Sequence, residues 1–288
     1  MLLGAAVGAF SAFLMTETRS VSHQHRMLFC GVALLAAAGV WDDRFGLSVP
    51  LKLLAQIVAA ATLVSACGGL TRFPLPRPLD WELGSMGPVV TLLWILLVTN
   101  AYNFMDGIDG LASLQGVVTG FGLGVAVGGG LESALALALA GACAGFLPWN
   151  WAPASAFLGD VGSSVLGYTF AAIPLLAPMG SREDGVLFVI LSLWLFLADA
   201  IWTRMKRIGR GGEWYAAHRE HIYQRLVDTG VSHARVTLAI GSGSALITAA
   251  ALAVRLEMPV PSWLVIAFAM GISACELSWV RRREIVQR

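Results

Sequence analysis

Ten stretches of this chain are too apolar to be at home in water, and they dictate what it can fold into. Seven carry no Asp, Glu, Lys or Arg, over residues 53–71, 83–105, 110–131, 133–159, 161–181, 236–254 and 258–275. Each is near or above the ~18 apolar residues a helix needs to cross hydrocarbon. Three shorter runs, 1–16, 27–41 and 185–198, reach that length when adjacent residues are added. The first lacks the basic start of a signal peptide, so it reads as a span. The expectation is an all-α polytopic membrane protein of about ten transmembrane helices, one integral-membrane unit over residues 1–288. Only 13% of residues are charged, against about 25% in soluble domains. No internal repeat and no soluble domain is visible.

Charge sets the orientation. Lys and Arg gather on the cytoplasmic side of membrane proteins. Alternating sides from a cytoplasmic Met1 puts thirteen of the nineteen Lys and Arg inside and six outside. Cys30, Cys67, Cys143 and Cys275 lie in or beside apolar runs without metal-ligand spacing, so they read as small buried apolar residues. The glycines between Gly120 and Gly130 read as close helix packing. The segment 68–87, with Pro74, Pro76 and Pro78, reads as a stiff, extended outer loop without chemistry.

Against this background the polar patches stand out, since polar groups at a membrane boundary are costly and mark function by default. The densest is Asn100-Ala101-Tyr102-Asn103-Phe104-Met105-Asp106-Gly107-Ile108-Asp109-Gly110. If helical, it places Asn100, Asn103, Asp106 and Asp109 at three-residue steps, with neighbours on one face. Oxygen donors beside glycine suit a hard cation such as Mg2+ and the phosphates bound to it. A helix cap would explain one of these residues, not four.

Other patches share that side. Asp42 and Asp43 are adjacent acids, which repel each other unless they hold a proton, a cation or a basic neighbour; capping, with Arg44 as counter-ion, is the plainer reading. Lys52 and Gln56, four apart, can meet an anion together. Asp160 opens an apolar run, as a cap or as a metal ligand with Gly162, Ser163 and the helix N-terminus facing a phosphate. Asp199 either pairs with Arg204 or Lys206 or joins the polar site, and Glu276 reads as structural. The inner loop 205–234 would, as a helix, align Trp214, His218, His221 and Arg225. His and Arg suit a diphosphate, although a basic loop also binds anionic headgroups.

Acids, amides, histidines and bases at one membrane surface are what phosphoryl transfer between two anionic reactants requires. A transporter is the alternative class. It would place its polar groups mid-span and show inverted repeats.

The chain resembles the polyprenyl-phosphate N-acetylhexosamine-1-phosphate transferases, which include the muramoyl-pentapeptide-phosphate transferases. The resemblance runs over nearly the whole chain. It rests on Asp42-Asp43 with Lys52 and Gln56, on Asn100-x-x-Asn103-x-x-Asp106-Gly-Ile-Asp109-Gly, on Phe157-Leu-Gly-Asp160-x-Gly-Ser163, and on the histidine loop. It implies transfer of a sugar-1-phosphate from a UDP-N-acetylhexosamine to undecaprenyl phosphate with release of UMP. The implied cofactor is Mg2+, with Mn2+ second. Asp160 becomes the main metal ligand, with Asn103 and Asp106 beside it. Asp42, Asp43, Asp106, Asp109 and His221 form the catalytic set. Lys52, Asn100, Asn103, Asp109, Ser163, His218, Arg219 and Arg225 bind substrate. The implied location is a bacterial inner membrane, multi-pass, with the active site cytoplasmic, no nucleic-acid partner, and room for a homodimer. Ala217-His218-Arg219-x-His221-x-Tyr223-Gln224 resembles the subgroup that starts O-antigen-type polysaccharides, part of lipopolysaccharide and cell-envelope biosynthesis. Two departures accompany this. The usual run of histidines after His221 is replaced by Ile222-Tyr223-Gln224-Arg225. The family's first span and its cytoplasmic Arg/His/Pro/Gly-Gly motif are expected to be missing, which makes a catalytically weak scaffold the third reading.

Overall fold

The computed structural model describes residues 21–177, 181–209 and 220–287. Among these the chain is helical, with one isolated β-bridge between Arg72 and Glu82. The helices are α1 (His23–Phe45), α2 (Val49–Cys67), α3 (Gly87–Phe104), α4 (Leu111–Val127), α5 (Gly130–Asn150) and α6 (Gly159–Ala172). They continue with α7 (Arg182–Ser192), α8 (Trp194–Ile208), α9 (Ile222–Asp228), α10 (His233–Arg255) and α11 (Ser262–Gln287).

Five helical segments are long and apolar enough to cross a membrane among the described residues: α2, Gly84–Phe104 ending in α3, α5, α10 and α11. Counting α7 and α8 as one broken span, bent by 74°, makes six. The expected count of about ten is therefore not reached by this criterion, and the reasons are local. The run 110–131 stops at Gly128, Gly129 and Gly130, all with positive φ (75°, 130° and 76°), so α4 has only 17 residues. The run 161–181 leaves the α-helix at Ala172 for a 3-10 turn, Ile173–Leu176, which contains Pro174. The run 185–198 is interrupted at Leu193, whose φ and ψ (−96°, 14°) fall outside the helix. Helix α1 is 23 residues long but ends in Asp42, Asp43 and Arg44. The first apolar run lies outside the described residues.

Helix α6 is the axis of the bundle. Its residues Leu166 to Ala172 are all buried, with α1 and α3 packed against it. Lipid offers no hydrophobic drive for helix association, so close approach through small residues supplies the contact. A Cβ on Gly39 of α1 would lie 2.7 Å from Val161 Cα, and one on Gly167 of α6 2.9 Å from Thr99 Cα of α3. The expected glycine packing of α4 is present. A Cβ on Gly120 would stand 2.7 Å from Ala136 O and 2.9 Å from Ala140 N of α5. These contacts bring the C-terminal ends of α1 and α3 to the N-terminal end of α6.

At the opposite end the proline segment is folded rather than extended. Phe73 stacks on Trp81 with centroids 4.5 Å apart. Glu183 Oε1 accepts the Thr71 N–H and hydroxyl, both at 2.8 Å, and the buried Arg182 donates to Cys67 O at 2.6 Å. Side-chain anchors thus override the stiffness of the prolines. The cysteine expectation holds for Cys67 and Cys143, while Cys30 and Cys275 are exposed on the outer faces of their helices. In a bilayer an outward apolar side chain meets lipid, so its burial is not required.

Candidate active site

Four helix ends build the site. Asp42 lies in the last turn of α1, where its Oδ1 accepts the Leu47 N–H at 2.6 Å. This turns the chain into α2, whose Pro50 sits in the first turn. Lys52, one residue pair further, bridges two carboxylates 118 positions apart in sequence. Its Nζ pairs with Asp42 Oδ2 and lies 2.8 Å from Asp160 Oδ2. Asp160 stands in the first turn of α6, where unsatisfied N–H groups favour negative charge. It makes no N-cap bond, so the capping reading fails for it. Asp43 faces the start of the same helix: a Cβ on Gly159 would be 3.2 Å from Asp43 Oδ2.

Helix α3 contributes its last turn. Asn103 Nδ2 donates to Asp160 Oδ1 at 3.1 Å and to Ser163 Oγ at 2.8 Å. The amide orientation follows from these acceptors. Asn100 Nδ2 donates to Gln56 Oε1 at 2.7 Å. The helix ends at Phe104, so Asp106 and Asp109 do not continue the face shared by Asn100 and Asn103. Asp106 follows in the turn, and burial together with the nearby Asp160 charge pushes its carboxyl up to about 7. Ser163 is buried, with its hydroxyl on Gly159 O at 2.9 Å; Ser164 lines the cleft in its place.

Asp109 is turned to the neighbouring layer. Its Oδ2 accepts the Ala154 N–H at 3.1 Å, and its Oδ1 lies 3.2 Å from His233 Nδ1. It ties the turn after α3 to residues 151–158 and to the start of α10.

The histidine loop returns at His221. His218 and Arg219, like Trp214, lie outside the described residues. Helix α9 begins at Ile222 with His221 as its N-cap, so no continuous helix aligns His221 with Arg225. Arg225 instead forks onto Glu284 of α11, Nε and Nη2 each 2.9 Å from a carboxylate oxygen. Asp199 joins the histidine loop: it meets His221 Nδ1 at 3.2 Å and the Ile222 N–H at 2.9 Å. Tyr223 donates its hydroxyl to Phe104 O at 2.9 Å.

Asp42, Lys52, Asn100, Asn103, Asp160 and His221 line one cleft of about 750 Å³, whereas Asp43, Asp106, Asp109, Ser163 and Arg225 are not among its walls. Arg204, Phe104 and Gln224 also line it. Sequence reasoning did not name these three as site residues. Arg204 lies over the Phe104 ring, 4.9 Å from its centroid. Its position five residues after Asp199 at the inner end of α8 was the available signal. An apolar groove of about 520 Å³, walled by Phe73, Leu75, Trp94, Trp194 and Trp202, runs beside α3 and the broken α7–α8 pair. It shares Leu93, Leu97, Ile201 and Met205 with the cleft.

No group of three or more metal-ligating side chains occurs among the described residues. The donor set nonetheless fits a hard cation that keeps water and substrate oxygens. Such ions take one or two carboxylates from the protein and complete their shell with phosphates. Burial, aided by the Asp160 charge, raises the Asp106 carboxyl, and Asn103, donating through Nδ2, leaves its Oδ1 for a ligand.

Residues 25–177 match the model of glycosyl transferase family 4. The chain is 31% identical over 245 residues to a probable undecaprenyl-phosphate N-acetylglucosaminyl 1-phosphate transferase of Bacillus subtilis, covering 83% of this chain and 67% of that protein. It is 27% identical over 272 residues to the undecaprenyl-phosphate alpha-N-acetylglucosaminyl 1-phosphate transferase of Yersinia pestis, covering 90% and 73%. Over 144 residues it is 39% identical to the phospho-N-acetylmuramoyl-pentapeptide-transferase of Moorella thermoacetica, covering 49% and 43%. The chain belongs to glycosyl transferase family 4, the family of the polyprenyl-phosphate N-acetylhexosamine-1-phosphate transferases.

Proposed function

We propose that the chain transfers an N-acetylhexosamine-1-phosphate from a UDP-sugar to undecaprenyl phosphate, releasing UMP and starting a cell-envelope polysaccharide such as O antigen. The observation that carries this is the junction of a charged cleft with an apolar groove through Leu93, Leu97, Ile201 and Met205. A polyprenyl phosphate has that same division, an apolar tail on a phosphate head.

In the reaction an oxygen of the lipid phosphate attacks the β-phosphorus of the donor. The new P–O bond forms as the bond to the UMP oxygen breaks, and UMP leaves with that electron pair. The second pKa of a phosphate monoester is about 6, so the acceptor is already largely ionised at neutral pH. Asp42 therefore orients rather than deprotonates. It holds Lys52, and the ammonium, fixed between two carboxylates, stands ready to meet a phosphate oxygen. Asp160, Asp106 and Asn103 would hold the divalent ion, Mg2+ first and Mn2+ second. When bound it neutralises the charge that keeps two phosphates apart. Asp43, beside Gly159, buttresses the start of α6. Asp109 holds the wall in which the nucleotide sits.

The cleft opens to the cytoplasm of a bacterial inner membrane, because the bases at its end of the bundle include Arg44, Lys52, Arg204, Lys206 and Arg207. The test is a turnover assay of the purified protein with undecaprenyl phosphate, UDP-N-acetylhexosamines labelled in the β-phosphate, and Mg2+. The label should move to the lipid with one UMP per product, and Asp160→Ala should abolish both turnover and its Mg2+ dependence. Lipid without label for every donor would end the proposal. Full activity in Asp160→Ala would remove the metal assignment.

A further inference from the structure

Asp199 does more than the transfer chemistry requires of it. Only 3% exposed, its carboxylate takes a fan of contacts from two segments of chain. Both oxygens accept the Ile222 N–H, at 3.0 and 2.9 Å, and Oδ1 also accepts the Thr203 hydroxyl at 2.9 Å and meets His221 Nδ1 at 3.2 Å. A buried carboxylate is tolerated only when such donors replace its water. Thr203 lies one turn along α8, whereas His221 and Ile222 lie beyond the inner loop. One side chain thus fastens the return of that loop to the broken span.

The imidazole is held from its faces as well. His221 is 5% exposed, and its ring stacks with those of Phe104 and Tyr223, with centroids 6.2 and 5.8 Å away and planes inclined by 26° and 17°. Tyr223 is itself anchored on Phe104 O. Two aromatic rings fix the tilt of the imidazole, and the carboxylate fixes its rotation. The ring still forms part of the cleft wall. With Nδ1 on Asp199, a substrate contact would fall to Nε2. A carboxylate behind Nδ1 is also what keeps the ring in one orientation when a proton arrives or leaves at Nε2.

We propose that Asp199 is a positioning residue for the transfer reaction, holding His221 by Nδ1 so that Nε2 meets a phosphate oxygen of the donor diphosphate. This rests on the function proposed above. Asp199 itself touches no substrate. It acts through the ring, and a neutral amide in its place would offer Nδ1 a mixed partner and let the ring turn.

Two measurements test this on the full-length protein in lipid nanodiscs. The first is a 15N spectrum of histidine-labelled protein, with the His221 signals identified by their loss in His221→Asn. Nδ1 should carry a proton in the native protein. A bare Nδ1 would overturn the proposal. The second is a double-mutant cycle of Asp199→Asn and His221→Asn on kcat, with KM for both substrates. Asp199→Asn should lower kcat by about 10–100-fold, the range seen when the partner of a functional histidine is lost. The same change should cost less than about twofold once His221 is gone, because coupled residues are non-additive. An equal factor in both backgrounds would show that Asp199 serves folding alone and would overturn the proposal. Full activity in His221→Asn would overturn it too, while leaving the transferase reading intact. Absence of lipid-linked product from the native protein would remove that reading instead, and the 15N spectrum would still decide whether Asp199 holds the ring.

Discussion

Gly107 sits where the acid-bearing turn after α3 passes under Tyr223. A Cβ at Gly107 would overlap the Tyr223 hydroxyl and stand 3.0 Å from Cζ and 3.2 Å from Cε2. Tyr223 is fully buried and its hydroxyl donates to Phe104 O at 2.9 Å. Gly107→Ala must therefore push the ring off its carbonyl or push the turn off the ring. Losing the hydrogen bond and stranding a part-buried carbonyl costs about 1–3 kcal/mol, and overpacking costs roughly 1–3 kcal/mol. These overlap in part, so the substitution should cost about 2–4 kcal/mol. Tyr223→Phe removes the clashing oxygen. In that background Gly107→Ala should cost about 1 kcal/mol or less, a coupling of the size neighbours show. Denaturation of the four proteins in one detergent reads the cycle. Turnover should also fall in Gly107→Ala, by about 10²-fold if Asp106 moves by about 1 Å. Additive stabilities, or a Gly107→Ala protein as stable as the native one, would refute the packing argument.

Three further outcomes follow from the site. Asp106 holds its proton up to about 7 against an ordinary 3.8, so the native chain binds more protons than the unfolded chain in that window. In the absence of divalent ions its contribution should make stability fall as pH rises from about 4 to 7; Mn2+ affinity by titration should rise over the same range, and both trends should flatten in Asp106→Asn. Lys52→Met should cut kcat at least about tenfold, as loss of a charge-stabilising group does, at a stability cost of only about 1 kcal/mol because Lys52 is partly exposed. Lys52→Arg should rescue poorly, since a planar fork does not replace a point charge between two carboxylates. Arg225→Gln and Glu284→Gln should have equal, small effects with unchanged KM for the donor; a raised KM in Arg225→Gln alone would place Arg225 on the substrate.

Much of the site was legible because membrane spans confine polar residues to their ends. Asp42, Lys52, Asn103 and Asp160 stood at the edges of apolar runs, and alternation of sides was enough to bring them to one surface. What connects them was not legible. No local pattern relates Lys52 to Asp160, 108 residues away, since that contact depends on α1 and α3 packing against α6. The period of three over residues 100–109 suggested one helical face, yet the helix stops at Phe104 and frees Asp109 to reach His233. Neither Pro nor Gly stands at Leu193 to announce the 74° break, which is why the short run 185–198 read as a span once adjacent residues were added. Arg225 looked like a phosphate ligand because its partner, Glu284, lies 59 positions away at the far end of α11.

The central claim is that Asp160 at the start of α6, with Asn103 and Asp106 at the end of α3, holds one divalent ion where a donor phosphate is bound. Mn2+ bound to the purified protein with a UDP-N-acetylhexosamine tests it directly by pulsed electron paramagnetic resonance. The account predicts one Mn2+ per chain coupled to 31P of the donor, lost in Asp160→Ala and weakened in Asp106→Asn. Mn2+ and its phosphorus coupling surviving unchanged in both variants would contradict it.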